Sequence, residues 1–387
     1  MIEAQLDAKI HSSLSEIPAE EWDSLVPAGN PHLRHGFLNL AETSGSVCNE
    51  TGWQPCHIAI RSDQTLIGVL PLYQKAHSWG EFIFDWSWAQ AYQRAGLSYY
   101  PKLISATPFT PASAPKFLTA ERVGSEVRNA LLQVALGFAQ QHEFSSLHLQ
   151  FLTDDERLWC ADNGLLLRKD CQFHWFNQDY RDFDEFLATF SSKKRKNVNR
   201  ERRRVREAGI SHRVLAGDDI SQSIMADAWR LCSYTFLARG HEPYLNLAFF
   251  EQLRQTAGHP LVIVLAEHEG QPVAAAILLH EGDVLLGRYW GSEREFHSLH
   301  FETCYYQGIE YAISQGIDRY EPGTQGEHKV ARGFVPTETG SAHWLAEPAF
   351  ASAVSDYLEQ EARGVDAYMD GVAQHVPYRN DEEGSAK

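Results

Sequence analysis

Two segments of the 387-residue chain, one in each half, share the same order of predicted elements. In each segment, three runs of apolar and β-branched residues are separated by short polar turns, a pattern that predicts an antiparallel meander. A chain that repeats such a meander is expected to form α/β units with mostly antiparallel sheets. The runs are Cys56–Ile60, Thr65–Tyr73 and Glu81–Trp88 in the first half, and Leu261–Glu267, Gln271–His280 and Val284–Gly291 in the second.

The shared order continues after each meander with a helix, a short strand and a segment that ends in His-Trp. The helix is predicted at 125–142 in the first half and at 299–316 in the second. In the first of these, Leu131, Ala135 and Phe138 recur at helical spacing. An internal duplication explains the shared order better than the alternative, that any α/β protein offers such strings. The sequence therefore predicts two tandem α/β (α+β) domains, each with a mixed, mostly antiparallel sheet flanked by helices.

The predicted domains cover residues 1–178 and 179–348. A chain of this length exceeds the size at which a single hydrophobic core keeps growing, which supports two domains. The first domain contains an insertion at about 89–120, rich in Tyr, Pro, Ser and Thr. Loops of this length usually have a function or are disordered, and because the aromatic residues argue against disorder, we expect a functional loop. Residues 349–387 are expected to form a helical tail followed by a disordered C-terminus.

One segment is strongly basic, although the net charge of the chain is −17 at pH 7. Residues 193–206 hold nine Lys or Arg and a single acid, Glu201. Because the acidic remainder repels a phosphate backbone at long range, a dedicated DNA-binding protein is not expected. The run contains no proline or glycine, follows the capping residue Ser191 or Ser192 and precedes Gly209, so it predicts a helix.

The charge of this helix calls for compensation, since like charges three and four residues apart repel each other. Val198 and Val205 share one narrow apolar seam, and basic residues occupy most of the remaining surface. Three partners remain open: the protein's own acids, a phosphorylated donor such as an acyl-tRNA end or a CoA, and an anionic membrane surface. The candidate anion-binding residues are Lys193, Lys194, Arg195, Lys196 and Arg203.

The sequence features that bear on location favour a reduced, non-exported protein. Its six cysteines are scattered without a CxxC pair, which predicts reduced thiols. The first residues lack the basic and apolar regions of a signal peptide, and no apolar run approaches the roughly 20 residues of a membrane span. No metal site is predicted, because ligand patterns such as HExxH are absent. A cytoplasmic protein without a transmembrane segment is therefore expected.

Several motifs resemble those of the FemABX peptidyltransferases, and in particular of the FemAB-like family of peptidoglycan biosynthesis or recognition proteins. The resemblance implies two tandem GNAT-like domains that transfer an acyl or aminoacyl group to an amine. It also implies a basic helix at the start of the second domain and a lysine near the reacting groups, a position that Lys329 matches. The motifs are Gly52–Pro55, Pro71–Gly96, Tyr99–Leu103, Pro108–Pro111, Gly287–Gly291, Leu299–Ile313 and Glu321–Phe334.

The densest group of polar side chains follows the short strand after the second predicted helix. Gly323 and Gly326 in this segment allow a close approach of a ligand. If a helix begins at Glu327, its free N–H groups add an anion site. The alternative is a polar loop with ordinary salt bridges. The polar residues are Glu321, Gln325, Glu327, His328, Lys329 and Arg332.

Acyl transfer to an amine needs a base for the proton and donors for the developing oxyanion. Glu302, Glu321 and His328 are the candidate bases, and Lys329 completes the catalytic candidates. For Glu302, the alternative is an acid favoured by the N-terminal end of a helix dipole. The substrate-binding candidates, for some of which core packing is the alternative, are Asp85, Trp86, Arg288, Tyr289, Trp290, Gln325, Glu327 and Arg332.

The glycine turn that holds the pyrophosphate of acetyl-CoA in GNAT enzymes is absent from the second half, where 291–302 reads GSEREFHSLHFE. The donor therefore stays open between an acyl-CoA and an aminoacyl-tRNA, and no tightly bound cofactor is expected. The expected partners are a small-molecule or peptide substrate in a groove between the domains, and a tRNA acceptor end. The predicted function is N-acyl or aminoacyl transfer; the alternative is a non-catalytic protein that recognises a peptidoglycan fragment or a related ligand.

Overall fold

The structure is a computed structural model that describes residues 6–121, 123–324 and 326–379. The chain divides into two compact units, each assembled from three segments. Unit 1 comprises Met1–Asp170, Tyr244–Phe249 and Glu338–Val365, and unit 2 comprises Cys171–Pro243, Phe250–Thr337 and Asp366–Lys387.

The described residues form strands throughout both units. They are β1 (Leu6–His11), β2 (Trp53–Pro55), β3 (His57–Ser62), β4 (Thr65–Leu70), β5 (Tyr73–Lys75), β6 (Lys102–Ser105), β7 (Leu118–Thr119), β8 (Ser146–Leu149), β9 (Leu166–Phe176), β10 (Ile210–Ala216), β11 (Leu261–His268), β12 (Gln271–Glu281), β13 (Val284–Ser292), β14 (Arg319–Glu321) and β15 (Val335–Leu345).

The α-helices are α1 (Ala19–Asp23), α2 (His35–Thr43), α3 (Trp86–Arg94), α4 (Gly124–Gln141), α5 (Asp154–Asp162), α6 (Phe183–Ala188), α7 (Ser192–Glu207), α8 (Gln222–Leu237), α9 (Leu247–Gln255), α10 (Leu299–Phe301), α11 (Gln307–Gln315) and α12 (Pro348–Ala373). A π-helical segment, Glu302–Tyr306, joins α10 to α11. No described helix combines the length and the apolar composition that crossing a membrane requires.

Unit 1 contains two groups of strands. In the first, β1, β3, β4 and β7 pair in that order, all antiparallel. In the second, β2, β5 and β6 are antiparallel, β6 and β8 are parallel, and β15 pairs with β8 from Ala342 to Leu345. The apolar face of α4, which carries the buried Leu131 and Ala135, packs with Ile58 and Leu147 of the strands in the core of the unit.

The prediction of a third strand in the first half is wrong. Residues 81–85 are irregular and α3 begins at Trp86, inside the predicted run Glu81–Trp88. The carboxylates of Glu81 and Asp85 are buried against the ammonium of Lys102, and these polar contacts replace the pairing of a strand. The range 89–120, expected to be a loop, holds the rest of α3 together with β6 and β7.

Unit 2 contains the meander that the second half predicts, and here the prediction is confirmed. Strands β10, β11, β12 and β13 pair in sequence, each antiparallel to its neighbour. Strand β14 then pairs parallel to β13, and the end of β9 pairs antiparallel to β14 at Trp175 and Phe176. The core of the unit lies between this sheet and the helices, where Val264 of β11 packs in one cluster with Ile309 of α11.

Helix α7 confirms the prediction for the basic run. It follows Ser191 and ends at Glu207, and Gly209 adopts φ 75°, a left-handed conformation that stops a helix at little steric cost. Val198 and Val205 are the buried residues of the helix, as their shared seam predicts. Its stability therefore depends on a narrow apolar contact and on the polar contacts of its flanks.

The predicted tail helix is present as α12. Val354 and Leu358 are buried, and they pack with Trp88 and Tyr92 of α3 within unit 1. The C-terminal residues expected to be disordered lie, from 380 onwards, outside the described residues.

Candidate functional site

The GRYWG segment of β13 contains a β-bulge. Ile277 of β12 pairs with Tyr289, whereas the next residue, Leu278, pairs with Gly287. Arg288 is therefore an extra residue without a partner on β12. Bulges bend a strand and redirect side chains, and they are common next to active sites.

Close backbone contacts explain the two glycines of this motif. A Cβ atom on Gly287 would lie 3.0 Å from Cα of Pro322, and one on Gly291 would lie 2.0 Å from the carbonyl oxygen of Leu231 in α8. A side chain at Gly291 would therefore push β13 away from α8. The glycines fix the path of the bulged strand between its neighbours.

Beyond the bulge, β13 and β14 separate. The two parallel strands pair only from Val284 to Leu286, opposite Arg319 to Glu321. A cavity of about 80 Å³ lies beside the point where they part. Its wall consists of Ala276, Ile277, Leu278, Gly287, Arg288, Tyr289, Trp290, His300, Cys304, Tyr305, Tyr320 and Pro322.

The helical side of this cavity is the π-helical segment Glu302–Tyr306. Its N–H to C=O bond spans five residues, from Gln307 to Glu302, and all five residues of the segment are buried. The Tyr320 hydroxyl donates to the carbonyl oxygen of Cys304 and so fixes the widened turn against β14. Single π turns within α-helices are frequent at functional sites. The cavity is therefore bordered by two departures from regular structure, a bulge and a π turn.

Lys329 is buried beside the cavity wall. Its Nζ donates to the carbonyl oxygen of Gly323, the residue after the cavity-lining Pro322. No carboxylate among the described residues forms an ion pair with it. Burial therefore lowers the pKa of Lys329 to about 7, so a substantial fraction of this side chain is a neutral amine at physiological pH. The sequence predicted this lysine as a catalytic residue.

His328 is exposed and lies next to two residues of the cavity wall, Tyr305 and His300. Its Nε2 is 2.8 Å from the hydroxyl of Tyr305, and its ring lies 5.7 Å from that of His300. Burial lowers the pKa of His300 to about 4, and burial with the nearby Arg332 and Lys329 charges lowers that of His328. Both imidazoles are therefore neutral near pH 7. His328 has the geometry and protonation state of a proton acceptor.

Two predicted bases are placed differently. The buried carboxylate of Glu302 accepts hydrogen bonds from Arg202 and Gln307, so it is not free to take a proton. Glu321 follows Tyr320 in β14, and because successive strand side chains point to opposite faces, it lies on the face away from the cavity. Burial, offset in part by Arg319, raises the pKa of Glu321 to about 7, and one of its oxygens has no hydrogen-bond partner.

Arg332 holds the polar segment in place. Its guanidinium forms an ion pair with Glu201 of α7 at 2.7 Å, donates to the carbonyl oxygen of His328 and stacks over the ring of Phe301. These contacts leave it little freedom to bind a substrate. The helix considered at Glu327–Arg332 is present as a 3₁₀ helix, and an anion site at its first N–H groups stays a prediction.

The remaining substrate-binding candidates fall into separate places. In unit 2, Arg288, Tyr289 and Trp290 all line the cavity; Tyr289 also packs edge-on against Phe250, and Trp290 lies beside His300. Glu327 is exposed, and Gln325 lies outside the described residues. In unit 1, Asp85 accepts hydrogen bonds from Ser78, Tyr99 and Lys102, and Trp86 stacks on the exposed Phe84.

The charge of helix α7 is only partly matched by the protein's own acids. Arg202 pairs with Glu302 and Glu310, and Arg203 pairs with Glu207 on the surface. Within the described part of the chain, no carboxylate pairs with the five cations between Ser192 and Arg200 of this helix. These are Lys193, Lys194, Arg195, Lys196 and Arg200.

Residues that the sequence analysis missed complete the site. Arg202, Tyr305 and His300 touch the predicted residues or line the cavity, but their positions in the sequence give no signal of this placement. In unit 1, Lys102 and His148 form a buried polar cluster with Asp85. The YYPKL motif contains Lys102, which is the one signal that could have drawn attention to it.

A family model for FemAB-like proteins, described as peptidoglycan biosynthesis/recognition, matches residues 13–380. The chain belongs to the FemAB-like family. The resemblance inferred from the motifs is thereby confirmed, and membership supports the prediction of a transferase. A search of curated proteins returned no significant match.

Solved structures show the same fold as this FemAB-like chain. FemX has 13% sequence identity and a TM-score of 0.54, and the match covers 90% of this chain and 100% of FemX. For L-PGS from Bacillus licheniformis the values are 12% and 0.53, with 88% and 97% of the chains covered. A conserved protein of unknown function from Bacteroides thetaiotaomicron VPI-5482 has 11% sequence identity and a TM-score of 0.52, and the match covers 86% of this chain and 98% of that chain. The fold prediction, tandem GNAT-like domains with a C-terminal helix, is confirmed.

Proposed function

We propose that the protein transfers an acyl or aminoacyl group to an amine, and that the reaction takes place at the cavity of unit 2. The observation that carries the proposal is the buried Lys329, which has no carboxylate partner among the described residues and whose pKa burial lowers to about 7. A lysine buried without a compensating charge destabilises a fold, so its presence beside a cavity favours a chemical role.

The chemistry requires one proton acceptor. As the acceptor nitrogen attacks the donor carbonyl, the C–N bond forms, the bond from the carbonyl carbon to the leaving oxygen or sulfur breaks, and the nitrogen must lose a proton. His328, neutral and hydrogen-bonded to Tyr305, takes that proton and returns it to the leaving group. With a pKa of about 7, part of Lys329 is protonated near neutral pH, and this ammonium form stabilises the oxyanion that develops on the carbonyl oxygen.

The donor is proposed to be an aminoacyl-tRNA rather than an acyl-CoA. The unpaired cations at the start of α7 suit a phosphate backbone, which needs several positive charges along a line. The connection between β13 and α10 lacks the glycine turn of CoA-dependent GNAT enzymes, and Ser298 with φ 67° precedes α10 there. The family description favours a peptidoglycan precursor with a free amine as acceptor. A cytoplasmic location stays a prediction.

A transfer assay with a tRNA pool charged with radiolabelled amino acids tests the proposal. Muramyl peptide precursors with a free amine serve as acceptors, and acetyl-CoA serves as the competing donor. Label in the peptide is expected with wild-type protein and is expected to fall at least about 100-fold in His328→Gln, the range ascribed to a general base. Thermal stabilisation by the precursor without any transfer would instead identify the protein as one that recognises the peptidoglycan fragment.

A further inference from the structure

Arg288 is a positive charge without a negative partner. The β-bulge sets it on the cavity wall, and its Nε is buried without a hydrogen-bond partner. Its guanidinium forms no ion pair with a described carboxylate. The guanidinium carbon lies 6.0 Å from the centre of the ring of the neighbouring Tyr289, a weak cation–π contact. Burial without a counter-charge lowers the pKa of Arg288 to about 10, so the group remains charged at pH 7.

The rest of the cavity wall supplies no compensating charge. Most of its residues are apolar, among them Ile277 and Leu278 of β12. The Tyr320 hydroxyl is engaged by the carbonyl oxygen of Cys304, and the imidazole of His300 is neutral. A guanidinium in such surroundings keeps an unbalanced positive charge in a poorly solvated space, where a charge-assisted hydrogen bond is strongest.

We infer that the cavity binds a carboxylate of the substrate, which pairs with the guanidinium of Arg288. A planar carboxylate matches the two parallel N–H donors of arginine. The cavity of about 80 Å³ has room for a carboxylate with one or two carbons, because a water molecule takes about 30 Å³ of liquid. A phosphate group shares the same oxyanion chemistry, but its tetrahedral shape matches the paired donors of one guanidinium less well than a planar carboxylate does, and its larger size suits the small cavity less well.

The inference deepens the proposed function, on which it rests for the identity of the ligand as a substrate. It predicts that the group bound at the cavity belongs to an acidic amino acid or to a residue with a free α-carboxylate. Arg288 would then determine specificity without touching the bonds that change. The anion site itself can be tested in the absence of transfer.

The test measures binding of propionate, acetate and inorganic phosphate to the full chain by thermal shift and calorimetry at constant ionic strength. Wild-type protein is expected to bind propionate more tightly than phosphate. Arg288→Gln is expected to weaken propionate binding at least about tenfold. The matched control is Arg230→Gln, an exposed arginine of unit 2 paired with Asp227, which is expected to leave binding unchanged.

The outcomes separate the two proposals. Propionate binding by a wild-type protein that shows no transfer overturns the proposed function and leaves the anion site intact. If Arg288→Gln fails to fold, Arg288→Lys replaces it; a lysine keeps the charge but not the paired donors, so binding is expected to weaken about threefold or more. Equal binding in wild type and the Arg288 variants, or tighter binding of phosphate than of propionate, overturns the inference.

Discussion

The guanidinium of Arg202 lies against the carboxylate of Glu302, with Nε 3.2 Å from each oxygen and Nη2 3.0 Å from Oε1. Arg202 belongs to the basic helix α7, and Glu302 opens the π-helical segment at the cavity. The same guanidinium also donates to both oxygens of Glu310 in α11. One basic residue of α7 thus anchors the wall of the candidate site, while the cations at the beginning of α7 form no ion pair with a described carboxylate.

Replacing Arg202 by methionine is expected to destabilise unit 2. The substitution leaves the buried carboxylate of Glu302 without its counter-charge, a change that lowers the free energy of unfolding by about 3 kcal/mol when a buried pair loses one partner. Arg213→Met, which breaks the more exposed pair with Glu267, is the control and is expected to change it by less than about 1 kcal/mol. Urea unfolding compares them; similar losses would show that Arg202–Glu302 acts as a surface pair.

Lys329→Met is expected to make the protein more stable but inactive in transfer. Between about pH 7 and the ordinary lysine pKa of about 10.4, the folded state holds the neutral amine while the unfolded chain holds the ammonium. The unfolded state therefore binds more protons in this window, and wild-type stability rises with pH across it. The variant loses this rise and exceeds wild type at pH 7 by about 1 to 3 kcal/mol. Unchanged pH dependence would show that Lys329 is not held neutral.

Glu321→Gln is expected to change the acid side of the stability profile. Burial raises the pKa of Glu321 to about 7, so between its ordinary value of 4.5 and 7 the folded state binds a proton that the unfolded chain has lost. Wild-type stability therefore falls as pH rises through this window, by at most about 1.4 kcal/mol per pH unit. The stability of the variant relative to wild type is therefore expected to increase from pH 5 to pH 8. Glu327→Gln, a change at an exposed residue of the same polar segment, is the control. The free energy of unfolding of this variant is expected to differ from that of wild type by the same amount at every pH.

Neutralising the beginning of α7 is expected to weaken tRNA binding in a salt-dependent way. The triple variant Lys193→Gln, Lys194→Gln, Lys196→Gln should reduce the slope of log K against log salt by about 2, since each phosphate contact contributes about 0.7 to 0.9. A control triple of exposed arginines, Arg94→Gln, Arg239→Gln and Arg363→Gln, removes the same charge elsewhere. Equal slopes in the two triples would mean that the net charge of the protein, rather than α7, determines the binding.

Gly291→Ala is expected to disturb the cavity through the backbone. The new methyl group would overlap the carbonyl oxygen of Leu231, so β13 must shift from α8, at a loss of about 1 to 3 kcal/mol in the free energy of unfolding. Gly364→Ala in α12, where no atom lies within 4 Å of the added Cβ, is the control and is expected to stabilise by about 0.4 to 1 kcal/mol. A Gly291→Ala variant as stable as wild type would show that the strand tolerates the shift.

Much of the fold could be predicted because its signals are local. Runs of apolar residues separated by two- or three-residue turns predict the meander of unit 2. A segment bounded by Ser191 and Gly209 predicts α7. The predicted strand Glu81–Trp88 failed because its alternation of apolar and polar residues has another cause. Glu81 and Asp85 are buried as ion pairs with Lys102, which comes later in the chain, and no local pattern predicts that contact.

The candidate site shows the same division. Composition and motif alone directed attention to Lys329, His328 and Arg288, since these residue types and their spacing are properties of the sequence. The sequence could not decide that Glu302 is occupied by Arg202, because these side chains meet only after the chain has folded. Nor could it decide that Glu321 faces away from the cavity, because the tertiary structure determines which face of β14 lines it. Protonation followed the same rule: the pKa values of Lys329 and Glu321 are set by burial, and burial is a property of the tertiary structure.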